Sequence, residues 1–269
     1  MHTLLIGHIT EDHLSNTRKL GGGVSFAAKV AALAQCTTTL VTSAPKDFPY
    51  WHELETLNQI DIINIESPYA TTFELNDTSK TRSLKLVHRA LQIQVDHLPL
   101  PAQNPDMIFL GPIMHEVDTA VFKACNACFS VLGLQGFLRQ SDKRGNIVPA
   151  DFDPQPFLEQ PSNVVSLSQE DHPDAANIAA VLSTKSIVAL TRGHAGATIY
   201  ESPSMQHHIR ACPAKQIDST GAGDVFLFRL GLGLARHETL LDAANAATQN
   251  AARVVEGYGL GNLGKTNFV

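Results

Sequence analysis

The sequence predicts an α/β fold: a central, mostly parallel sheet with helices on both faces, plus a small β lid. Three observations carry this. Short apolar runs bounded by Gly, Pro or Asp alternate with helical patterns along the 269 residues, as chains of βαβ units do. Runs as brief as Ile-Val-Ala-Leu at 187–190 show no polar alternation, which suits strands buried on both sides. The stretch 70–95 breaks the rhythm, because apolar and polar residues alternate on either side of Asn76-Asp77-Thr78-Ser79, a hairpin pattern.

In chain order, 4–6 reads as the first strand and meets a turn at Gly7-His8. Gly21-Gly22-Gly23 then opens a helix over 25–34. A short strand follows at 40–42, a helix over 51–58 and a strand at 60–65. After the 70–95 hairpin, Pro99, Pro101 and Pro105 mark the return to the core. Apolar runs at 107–110, 130–134, 164–167 and 187–191 are the later strands, with helices over 117–129 and 174–182 between them. Two long helices, 222–236 and 239–256, close the pattern. In the last, Leu240, Leu241, Ala244, Ala247, Thr248, Ala251, Val254 and Val255 fall at helical spacing, and the alanine-rich side allows close packing on the sheet or on a flat ligand. All of 1–269 reads as a single domain, with 70–95 as a hairpin lid within it.

Bulk composition removes several classes of function. A hydrophobic fraction of 43% with 17% charged residues fits a globular core. The net charge of −6 is spread along the chain, so no basic stripe is available for nucleic acid. The opening MHTLLIGHIT is too short and too poor in basic residues for a signal peptide. No apolar run reaches membrane-spanning length, and the expected compartment is the cytoplasm. Cys125 and Cys128 form a CxxC, but with no second pair to complete four ligands they read as small residues on one helix face. The twelve histidines show no metal-ligand spacing, and His207-His208 reads as a polar, turn-like surface stretch.

Two segments invite a phosphate. Gly259 to Thr266 satisfies the G-x-x-x-x-G-K-[ST] pattern literally, but a P-loop needs a strand before it and a helix after it. Here a helix precedes it and three residues follow, so it reads as a chance match. Asp218-Ser219-Thr220-Gly221-Ala222-Gly223-Asp224 differs, because a helical pattern follows at once. A tight glycine turn opening a helix aims several backbone N–H groups at one point suited to a phosphate, and Asp224 stands there as a candidate general base. Read alone, the segment is equally a helix-capping turn.

The segment 218–224 resembles the D-T-T-G-A-G-D signature of the ribokinase-like (PfkB) carbohydrate kinases, with Ser219 the one change. Other parts agree in order. Gly21-Gly22 is similar to the family's first glycine signature, Asp12 sits where the family places a sugar-binding aspartate, and Thr191-Arg192-Gly193-His194-Ala195-Gly196 is similar to its nucleotide-side turn. The resemblance implies a ribokinase-like three-layer fold and ATP-dependent, Mg²⁺-assisted phosphorylation of a hydroxyl on a sugar or cyclic polyol. It implies Asp224 as the base, with the N–H groups of Gly221, Ala222, Gly223 and Asp224 as the anion hole. Asp218 would cap the loop or reach the metal's waters. Asp12, Gly22, Gly23 and Arg139 would bind the acceptor. Thr191, Gly193, Gly196 and Asn250 would bind the nucleotide.

The chain departs from the family in places. Phe26 stands where many members carry a sugar-contacting asparagine. The N-x-x-E motif falls on Ser166 to Asp171, where Ser168 with Asp171, or Glu170, would stand in as the metal-linked acids. Gly257-Tyr258-Gly259 replaces a Gly-Ala. Thr71-Thr72-Phe73-Glu74 with Arg82, and Gln135-Gly136-Phe137-Leu138-Arg139, resemble a subgroup that includes plant inositol kinases. Arg139 would meet a phosphate or pair with a surface acid. Two alternatives stay open: a nucleoside kinase of the same fold with Phe26 or Phe73 as an aromatic wall, and a catalytically silent ligand-binding homologue. An exposed lid strand also makes a homodimer through the lid an expectation.

Overall fold

The computed structural model describes residues 1–14, 17–78, 81–99, 104–124 and 129–263, with the side chains of 76–78 and 81–82 left aside. The first half contains β1 (His2–Ile6), β2 (Thr10–Leu14), β3 (Thr17–Gly21), α1 (Gly23–Leu33), β4 (Thr37–Ala44), α2 (Trp51–Glu55), β5 (Ile60–Glu66), β6 (Thr71–Thr78), β7 (Thr81–His88) and β8 (Met107–Leu110). Then come α3 (Thr119–Ala124), β9 (Ser130–Gly133), β10 (Arg139–Ser141), β11 (Ile147–Pro149), α4 (Gln155–Glu159), β12 (Val164–Ser168) and α5 (Ala175–Leu182). The remainder is β13 (Ile187–Thr191), β14 (Ala197–Ser202), β15 (Met205–Ile209), α6 (Ala222–Ala235) and α7 (Leu240–Val254).

Nine strands form the central sheet in the order β15-β14-β13-β12-β9-β8-β1-β4-β5. All pairings are parallel except those of β14 with β13 and β15. The two faces divide the apolar residues by parity, as a pleated strand requires. Leu5, Met107 and Phe109 enter the core shared with α1, α6 and α7. Leu4, Ile6, Ile108 and Leu110 enter the core on the other face, with residues of α3, α4 and α5. This is the three-layer arrangement the alternating pattern predicts. No described helix is long and apolar enough to cross a membrane.

A second sheet, ordered β3-β2-β6-β7, makes the lid. The expected lid hairpin is there as β6 and β7, whose last pair is Thr78 with Thr81. The expected bounds of 70–95 are too generous at the C-terminal end and miss half the sheet. β2 and β3 form a hairpin of their own, and β2 pairs in parallel with β6. The outer edge of β7 is partly occupied, since Leu86 N donates to Gly145 O at 2.8 Å.

Lid and core are pinned at their junction by His8, just beyond β1. One ring nitrogen bonds Thr71 Oγ1 at 2.8 Å, at the start of β6, and the other bonds Leu91 O at 2.8 Å, beyond β7. Burial holds this imidazole below its usual pKa against the nearby Glu116 charge, so it serves as a neutral strut.

Several local expectations need correction. His207 and His208 lie in strand β15, not in a turn. The strand is polar because it is the sheet's edge: His207 reaches Glu201 at 2.9 Å and His208 bonds Thr198 Oγ1 at 3.1 Å. The 51–58 helix is only the short α2, ending at Glu55. The described part of the 117–129 helix is α3, Thr119–Ala124, and Cys125 and Cys128 lie outside the described residues, as do Gly264, Lys265 and Thr266 of the P-loop-like tail.

Candidate active site

The strand order reverses at β1: the chain runs outward through β4 and β5 on one side and through β8, β9, β12 and β13 on the other. A crevice at the carboxyl ends of such strands is where open α/β sheets bind ligands. The lid strands leave from this end, after β1 and after β5, and the two glycine turns meet there.

Gly221 caps α6 with φ 81° and ψ −5°, a left-handed conformation that favours glycine. The place a Cβ would take is filled by the Phe26 ring, 2.5 Å from its Cζ. Phe26 is 1% exposed. It is therefore the packing partner of the 218–224 turn and cannot wall an acceptor pocket, which corrects one basis of the nucleoside reading. Gly23 begins α1, and a Cβ there would lie 2.9 Å from Asp224 Cγ. A carboxylate 201 positions away in sequence thus occupies the space a side chain would need here, so any Cβ forces Asp224 to shift.

Asp224 is half-buried in the first turn of α6. Burial pushes its carboxyl up to about 6, with Arg139 pulling down and Asp171 pushing up. Of the N–H groups expected to form the cradle, that of Ala222 donates to Ser219 O at 3.3 Å and that of Asp224 serves its own carboxylate. Gly223 is exposed, with open space where a Cβ would stand.

Arg139 heads β10. Its Nε donates to Ile113 O at 2.7 Å, and its guanidinium lies 5.3 Å from the centre of the Phe73 ring. It sits within electrostatic reach of Asp171, Glu116, Asp224 and Asp12, while burial lowers its pKa. The idle surface pairing is thereby excluded. Asp12, on β2, is 6% exposed and accepts from Thr10 Oγ1 at 2.8 Å. Asp171 follows β12 and accepts from Ser168 N at 2.7 Å and Gln135 Nε2 at 3.1 Å, with burial raising its pKa. Asp12, Gly22, Gly23, Arg139, Asp171 and the 221–224 turn thus share one site. Glu170 is exposed and bonds only locally, its N–H donating to Ser168 Oγ at 3.2 Å.

The nucleotide-side expectations separate. Thr191 ends β13, and its carbonyl accepts from Gln169 N at 2.9 Å, which ties it to the Asp171 turn. Gly193 has open space above it, whereas Gly196 packs against the Ile209 carbonyl and serves the β14–β15 hairpin. Asn250 on α7 is 2% exposed, and its Nδ2 meets no acceptor among the described residues. The Arg82 side chain lies outside those described.

Sequence reasoning missed two residues. Glu116 is buried and accepts from Ile113 N, at 2.8 and 2.9 Å, and from Met114 N at 2.7 Å and His8 N at 3.2 Å. It shapes the loop whose Ile113 carbonyl holds Arg139. Lys19 on β3 pairs with Asp218. Neither carries a local signal, since one reads as a loop acid and the other as a solvated lysine.

Residues 162–267 match the pfkB family carbohydrate kinase model. The likeness to the pfkB family therefore rests on this C-terminal segment. The match contains Asp171, the 191–196 turn and the 218–224 turn. Solved structures extend the likeness to nearly the whole chain at the level of fold. A pyrophosphate-dependent myo-inositol-1 kinase converted into a myo-inositol-3 kinase superposes with TM-score 0.80 at 17% identity, over 96% of this chain and 94% of that one. Burkholderia thailandensis nucleoside kinase in complex with inosine gives 0.79 at 16%, over 98% and 94%. Arabidopsis thaliana ribokinase complexed with ribose and ATP gives 0.73 at 15%, over 97% and 95%. No curated protein sequence matches. Together these show a fold like that of the ribokinase-family kinases and a pfkB-family match over residues 162–267.

Proposed function

We propose that this chain transfers a phosphoryl group from ATP to a hydroxyl of a sugar or cyclic polyol. The observation that carries the reading is Asp224: a carboxyl with pKa about 6 in the first turn of α6, backed by Gly23 and beside the Gly221–Gly223 turn. A base poised near neutral pH next to helix N–H donors suits proton removal from an alcohol with stabilisation of the phosphoryl charge. Asp224 takes the proton from the acceptor oxygen. The N-terminus of α6 lowers the energy of the negative charge opposite it. Asp12 and Arg139 hold the acceptor's other hydroxyls, and the lid excludes water that would otherwise hydrolyse the donor.

Asp171 fits a role toward Mg²⁺. Each of its oxygens accepts one bond and retains a further acceptor position. Among the described residues no three His, Cys, Asp or Glu side chains form a cation cage. Held at Asp171, the ion would neutralise charge on the donor's phosphates.

A neutral polyol is favoured over a nucleoside because Asp12, within electrostatic reach of the Arg139 guanidinium, suits hydroxyl groups, while Phe26 is withdrawn into the core. Solved relatives described with myo-inositol, inosine and ribose set the acceptor panel: inositols, fructose, ribose, adenosine and inosine, with ATP or pyrophosphate as donor. Turnover of an inositol or sugar with ATP is expected. Turnover of nucleosides alone overturns the polyol reading, and acceptor binding without turnover supports the silent homologue.

The same site predicts a pH profile. Asp224 must be ionised to act, so kcat/KM should fall about tenfold per pH unit below roughly 6 and level off above it. Arg139→Gln removes the charge that pulls this pKa down, and the acid limb should move to higher pH. An initial-rate profile from pH 5 to 9 on both proteins tests this. A limb near pH 4, or one unmoved by the substitution, contradicts it.

A further inference from the structure

Lys19 sits on β3, two residues before the strand passes into Gly21-Gly22-Gly23 and α1. Its Nζ bonds the Asp218 carboxylate and lies 3.2 Å from Thr220 Oγ1. Asp218 Oδ1 in turn accepts from Thr220 N at 3.0 Å and Thr220 Oγ1 at 2.6 Å. The turn leading into Gly221 is therefore wound on Asp218, and Lys19 holds it from the lid. The two side chains are only 15% and 9% exposed, so salt screens the pair little.

The arrangement resolves an electrostatic problem. A polyphosphate arriving at the start of α6 meets two carboxylates on that segment, Asp218 before the cap and Asp224 after it. Asp224 can share its charge with a proton near pH 6. Asp218 cannot: burial pushes its pKa up, but the bonds from Lys19 and Thr220 outweigh this and hold it below the usual carboxylate range. Without a compensating cation, an ionised acid would stand at the entry of the cradle and repel the donor. Lys19 also lies opposite Asp12 in the β2–β3 register, so one lid hairpin carries both a candidate acceptor-side acid and this cation.

We propose that Lys19 is a positioning residue for the phosphoryl donor, which holds the Asp218–Thr220 turn from the lid and cancels the charge of Asp218 at the mouth of the anion cradle. This rests on the phosphotransfer reading for its kinetic consequences but not for its binding ones. The test compares Lys19→Met, Lys19→Arg, Asp218→Asn and Lys19→Met/Asp218→Asn with the unaltered chain. Each is assayed for kcat and for KM toward ATP and the best acceptor, and for inorganic pyrophosphate affinity by calorimetry.

Lys19→Met should raise the KM for ATP about tenfold or more, as loss of a charge-assisted contact does, and weaken pyrophosphate to a similar extent. The acceptor KM should stay within about twofold, because the loss is confined to the donor side. Lys19→Arg should keep most of the affinity. The double variant should recover to within about threefold of the unaltered chain, since the uncancelled acid is gone. A donor KM and a pyrophosphate affinity unmoved in Lys19→Met, or a double variant as poor as Lys19→Met, overturns the proposal. If the unaltered chain turns over no acceptor, the kinase reading fails, while the pyrophosphate titrations still decide the role of Lys19.

Discussion

Asp224→Asn should lower kcat by about 10²–10⁴-fold, the range a positioned general base contributes, while leaving a protein that folds, binds ATP and melts at a higher temperature. The amide keeps the size of the carboxyl, so the contact with Gly23 and the start of α6 survive. What is lost is the acceptor for the hydroxyl proton. The stability gain follows from linkage. Burial raises the Asp224 pKa from 3.8 to about 6, so the native state holds its proton more tightly than the unfolded chain does. Its contribution to stability is fully present below the unfolded value and is lost as pH rises through 6. At neutral pH the ionised group costs the fold up to roughly 3 kcal/mol, and the neutral amide avoids this. Lost turnover with a raised Tm at pH 7 separates a catalytic role from misfolding. A variant with near-normal kcat removes Asp224 from the mechanism.

Gly221→Ala should damage both fold and rate. The residue holds φ 81°, which costs an L side chain about 1–2 kcal/mol, and its Cβ would enter the buried Phe26 ring, where overpacking adds about 1–3 kcal/mol. A Tm drop of several degrees should appear in thermal denaturation. Displacing the turn also spoils the alignment of the cradle, and loss of one such donor costs about 2.7–4 kcal/mol of barrier, or 10²–10³ in kcat. Gly223→Ala gives the contrast. It has helical φ and open space around it, so stability should hold or rise by about 0.5–1 kcal/mol. The added methyl projects where the donor phosphate must approach, and donor KM should rise. If Gly223→Ala leaves donor kinetics untouched, the phosphate does not approach that turn.

Legibility in the sequence followed the range of the interactions. The core strands at 107–110, 164–167 and 187–191 were readable because burial on both faces demands unbroken apolar runs. The starts of α1 and α6 were readable because glycine turns mark helix N-termini locally. The β2–β3 hairpin was not, since Thr-Glu-Asp-His-Leu and Thr-Arg-Lys-Leu-Gly are mostly polar, with one Leu each, and become strands only through pairing with each other and with β6. The polar edge strand β15 was misread for the same reason.

By itself the sequence determined the strand–helix alternation, the two glycine turns and the acid that follows the second, all fixed by neighbours within a few residues. Only the tertiary structure decided that Gly23 backs Asp224, that Phe26 fills the space beneath Gly221, that Arg139 lies among four acids and that Lys19 reaches Asp218 from the lid. The Gly23–Asp224, Phe26–Gly221 and Lys19–Asp218 contacts join residues well over a hundred positions apart, and Arg139 draws its acids from four separate stretches of chain. No local propensity encodes them, because their energy exists only once the two sheets have closed around the site.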